Sequence, residues 1–100
     1  MAYSKPLRHL RNALAIVAYC ALIGCAGAPV QEMSNARQAI RAARDAGAEQ
    51  VAAEQLTQAR ALLERAEADL QSRSYREARR NAVAARGKAV EALEAAQTTA

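Results

Sequence analysis

From Glu32 to residue 100 the chain contains no proline and only two glycines, Gly47 and Gly87, while its alanines and leucines recur at alternating steps of three and four. A strand needs a period of two, and this stretch does not offer one. Its abundant residues, Ala, Leu, Arg, Glu and Gln, are strong helix formers. The fold class read from the residues is therefore all-α, a small Ala-rich three-helix bundle, with an antiparallel helical hairpin plus a short additional helix as the alternative.

Three helices follow from the pattern, at about 32–46, 49–71 and 75–97. In the first, Met33, Ala36, Ile40 and Ala43 share one face. Gly47 stands where a left-handed residue ends a helix. In the second, Ala52, Leu56, Ala59, Leu63, Ala66 and Leu70 form a heptad seam. The third opens with a capping-box pattern, Ser74 with Glu77 three residues on. It continues through Tyr75, Ala78, Ala82, Ala85, Ala89, Ala92 and Ala96. The short connection at Ser72–Ser74 implies antiparallel neighbours. Helix two holds Glu49, Glu54, Glu64, Glu67 and Asp69, and the stretch 73–88 is rich in Arg. The two are expected to pair across the hairpin, with Glu67 near Arg79. Larger apolar residues such as Val30, Val51, Tyr75 and Val83 are expected to join a thin core without Phe or Trp.

The first 31 residues have a different composition. Lys5, Arg8 and Arg11 precede an apolar run of 11 residues, Ala13 to Ile23. This is too short to span a bilayer, which takes roughly 20 residues, and has the layout of a secretory signal peptide. The run ends in Leu22-Ile23-Gly24-Cys25. That tetrad resembles the lipobox of bacterial lipoproteins. The resemblance implies cleavage between Gly24 and Cys25, a lipid on the Cys25 sulfur, and residues 25–31 as a flexible tether to a helical domain at 32–100. Residue 26 is Ala rather than Asp. By the same resemblance the expected home is the outer membrane, facing the periplasm, in preference to the inner membrane.

Removal of residues 1–24 changes the charge reading. The whole chain is +4, but residues 25–100 keep 11 Arg or Lys against 10 Asp or Glu, a net of +1. The basicity that would suggest a nucleic-acid partner leaves with the leader. Cys20 leaves as well, and Cys25 is consumed by the lipid, so no disulfide is expected.

Catalytic chemistry finds few residues to work with. Residues 26–100 contain no His and no Cys, the usual carriers of nucleophilic and acid–base catalysis. Glu64 and Glu67 share a face, but a bundle metal site would also need His. No catalytic residue, metal or cofactor is assigned beyond the covalent lipid, and no small-molecule substrate is identified. The one candidate binding surface is Arg73, Arg76, Arg79, Arg80 and Arg86, whose guanidinium forks suit phosphate and carboxylate groups.

The helical part resembles the bacterial domain-of-unknown-function family 4398, small helical envelope lipoproteins. The resemblance runs over roughly 33–97. It rests on Ala36-Arg37-Gln38-Ala39-Ile40, the Ala46-Gly47-Ala48 break, Leu56 with Ala59-Arg60, Leu63 with Ala66, and Leu70 with Tyr75 and Ala78-Arg79. It implies a location and a shape and no activity. The expected function is a non-catalytic, lipid-anchored helical module that docks on another envelope protein or on copies of itself. The alternative is a binding module for anionic envelope material through the Arg-rich stretch 73–88.

Overall fold

The computed structural model describes residues 27–99. The expected signal peptide, the Gly24–Cys25 cleavage site and the first tether residues lie outside the described residues. Within them the protein is all-α: α1 (Val30–Asp45), a single-turn α2 (Ala48–Val51), α3 (Ala53–Gln71) and α4 (Tyr75–Thr99). No helix among the described residues is long and apolar enough to cross a membrane.

The bundle is organised around α4. Ala78, Ala82, Ala85, Ala89, Ala92 and Ala96 are all buried along it, the heptad stripe expected from spacing. Alanine lets neighbouring backbones come close, and here one stripe serves two helices, since α3 and α1 make the two largest interfaces with α4. At one end Met33 of α1 and Ala66 of α3 meet Ala82, with Leu63 and Leu70 packed alongside. At the other, Ala43, Ala48, Ala52 and Leu56 meet Ala92 and Ala96, with Ile40 and Leu93 alongside. Hence α1 runs parallel to α4 and α3 antiparallel to it. The three-helix bundle is the architecture formed, with α2 as an added turn.

Gly47 occupies the expected C′ position with φ +93°, and its N–H donates to the Arg44 carbonyl at 3.0 Å. The α3–α4 connection uses the same device without a glycine. Arg73 has φ +62°; its N–H donates to Leu70 O at 3.1 Å and that of Ser74 to Asp69 O at 2.8 Å, a complete Schellman motif. This corrects the capping box. The Ser74 N–H that Glu77 would accept from is already spent on Asp69 O, and the Glu77 carboxylate turns to Arg80 at 3.7 Å.

Other expectations also change. The second helix is interrupted at Ala52, whose φ of −144° separates α2 from α3. No Gly or Pro marks the place; the bend lets Ala48, Ala52 and Leu56 all reach the same cluster at the end of α4. The tether is shorter than residues 25–31. Pro29 is fully buried, its carbonyl accepts the Met33 N–H at 3.1 Å, and Val30 already begins α1. Proline suits a helix start because its missing N–H would have no partner there. Finally, Val30, Val51, Tyr75 and Val83 are exposed, the last at 57%. The alanine stripe fills the interface by itself, so the neighbouring valine falls outside it.

Candidate functional site

The five candidate arginines do not form one surface. Arg73 lies in the α3–α4 turn, and Arg76 and Arg80 follow on one face of the first two turns of α4, all three exposed. Arg86 is exposed farther along the helix. Arg79 points the other way and is half-buried against α1: its Nε donates to Glu32 Oε1 and its Nη2 to the Gly27 carbonyl, each at 3.1 Å.

The expected Glu67–Arg79 pair is thus replaced. Helix α1 lies between the two residues, presenting Arg37 on one flank and Glu32 on the other. Arg37 Nη2 donates to Glu67 Oε1 of α3 at 3.4 Å, while Glu32 accepts from Arg79 of α4. The third interface carries its own polar contact, Asn81 Nδ2 of α4 donating to Asp69 Oδ2 of α3 at 2.7 Å. Glu49 of α2 accepts from Arg60 Nη2 of α3 at 2.9 Å. Among the described residues the α3 acids Glu67 and Asp69 therefore answer α1 and an asparagine of α4, Glu49 of α2 answers Arg60 of α3, and none of these acids meets an α4 arginine. Among the described residues Arg73, Arg76 and Arg86 take part in no ion pair, and the Arg80–Glu77 pair is largely exposed.

Glu32, Arg37 and Gly27 were not singled out from sequence. Glu32 and Arg37 are five residues apart and so lie on opposite flanks of the Met33–Ala36–Ala43 face, a signal that was available in the periodicity. A further feature is a shallow groove between α3 and α4, lined by Gln58, Ala61, Leu62, Arg65 and Lys88. The described residues hold no buried polar or charged side chain and no cluster of His, Cys, Asp and Glu suited to a metal ion.

Chemically, the exposed arginines at the turn can make charge-assisted hydrogen bonds to anionic oxygens, and the Val83 face of α4 can make apolar contact. No curated protein and no solved structure matches the chain. A family model does match, over residues 31–100, and it spans all four helices nearly end to end. The chain belongs to the family of the domain of unknown function DUF4398.

Proposed function

We propose that the protein is a non-catalytic helical interaction module, anchored by a lipid on Cys25 to the periplasmic side of the outer membrane. The Leu22-Ile23-Gly24-Cys25 tetrad after a basic, apolar leader supports the anchor, and Ala26 in place of Asp supports the outer membrane. One observation carries the interaction reading. Val83 is 57% exposed on α4, with half-buried Val90 seven residues on along the same face. A helix whose core side is complete in alanine has no internal need for these valines, and a partner helix or a second copy would cover them.

The test is a photo-crosslinking residue placed at Val83 or at Ala84, both exposed but about 100° apart around α4, in intact cells. Val83 should give a discrete adduct that Ala84 does not. Equal yields from the two positions, or none, would overturn the interaction reading. The anchor is checked separately, by the loss of processing and of the acyl mass in Cys25→Ala.

A second reading, binding of anionic envelope material, is favoured by the exposed trio Arg73, Arg76 and Arg80. Contacts of that kind weaken steeply with salt, whereas the valine face does not.

A further inference from the structure

We infer that the α3–α4 turn is the membrane-facing end of the bundle, with Arg73, Arg76 and Arg80 against the phosphates of lipid headgroups and the Tyr75 ring at the interface. The inference rests on the anchored reading above and gives its anionic alternative a specific partner. It begins at Gly27. The Gly27 carbonyl is held by Arg79, in the second turn of α4, and the buried Pro29 and the start of α1 at Val30 fix the chain immediately after that contact. Gly27 is two steps along the chain from Cys25, with Ala26 alone between them, and two steps reach at most about 7 Å. Acyl chains on Cys25 enter the bilayer where that sulfur meets it, so the end of the bundle that holds Gly27 has no slack with which to stand away from the surface.

That end is where α1 and α4 begin and α3 stops. Its solvent side carries Ser72, Arg73, Ser74, Tyr75, Arg76 and Arg80, all exposed. Arg73 and Arg76 take part in no ion pair among the described residues, and Arg80 shares only a loose, exposed contact with Glu77. Planar guanidinium groups bind phosphate oxygens through paired donors. Basic residues immediately beside an anchor are drawn to an anionic leaflet, and tyrosine favours the headgroup level, with its ring in apolar surroundings and its hydroxyl in water. The half of the bundle at this end carries seven Arg against five acids and the far half four basic residues against five acids, so its charge leans in the sense this orientation requires.

Residues 25–100 contain no Trp and one tyrosine, Tyr75, so the intrinsic emission of the mature protein reports this end alone. The experiment reconstitutes the lipidated mature protein in vesicles of phosphatidylethanolamine and phosphatidylglycerol with a nitroxide-labelled headgroup lipid. Tyr75 emission should be lost to the nitroxide and protected from aqueous acrylamide. In a Tyr75→Phe, Gln97→Tyr double variant, which moves the reporter to the far end, the nitroxide should have little effect. The Arg73→Glu, Arg76→Glu, Arg80→Glu triple variant should recover Tyr75 emission while retaining its helical circular dichroism. A lipidated sample whose Tyr75 is quenched no more than the reporter at position 97 overturns the orientation and leaves the anchored reading standing. A mass without acyl chains on Cys25 overturns both.

Discussion

Gly47 and Gly87 show how differently one residue type can act in a helical chain. Gly47 sits at φ +93°, where a side chain strains the backbone even though the space beside it is adequate, with Gln50 Oε1 at 3.6 Å from an added Cβ. Gly87 lies inside α4 with nothing within 4 Å of an added Cβ. Gly47→Ala should therefore cost about 1–2 kcal/mol, whereas Gly87→Ala should stabilise by about 0.5–1 kcal/mol, because it removes unfolded-state freedom without a clash. Urea unfolding of the two variants checks the prediction, with midpoints moving in opposite directions. The role of Gly47 was legible in the sequence because glycine after an apolar periodic stretch is a specific stop signal. The matching role of Arg73 was not. Arginine carries no left-handed preference, and its conformation is set by the two Schellman hydrogen bonds from Arg73 and Ser74 to the end of α3.

At the scale of elements, the alanine stripe of α4 was readable down to the residue, because heptad spacing leaves one choice of buried face. Ala85 belongs to that stripe and Ala84 is exposed beside it. Ala85→Leu should destabilise by about 1–3 kcal/mol by forcing closely packed helices apart. Ala84→Leu should be near neutral, and thermal melts of the pair compare them directly. The break at Ala52 was not readable, since Gln50-Val51-Ala52-Ala53 holds no residue that stops a helix; the need to bring Ala48 and Leu56 onto one cluster decides it. The pairing of charges was misread for a related reason. Complementary totals on two helices do not say which flank each residue occupies, and α1 intervenes between Glu67 and Arg79 with a partner for each.

Among the described residues the largest fully buried side chains are Met33, Leu56 and Pro29, so most of the bundle's interior is alanine. At ~25 cal/mol per Å² each buried methyl adds little, and cohesion depends on many close backbone approaches. The ion pairs that tie α1 down are half-exposed and are worth below about 1 kcal/mol each. Raising the salt from about 0.1 M to about 1 M, which shortens the screening length from about 10 Å to about 3 Å, should lower the melting temperature only slightly. Raising the protein concentration should move it more, through association over the Val83 face. Melts over a matrix of salt and protein concentration check both. The parallel placement of α1 and α4 also sets an order of events. The α3–α4 hairpin closes through a three-residue turn, but Met33 reaches Ala82 only across about half of the chain. Closing the longer loop costs more entropy and its contacts form later. Substitutions such as Ala36→Gly should thus speed unfolding with little effect on the folding rate, while Ala66→Gly should slow folding, as stopped-flow kinetics would register. Helix α1 is made before the helices it packs on and settles last, because the surface it needs is completed only when α4 has been made.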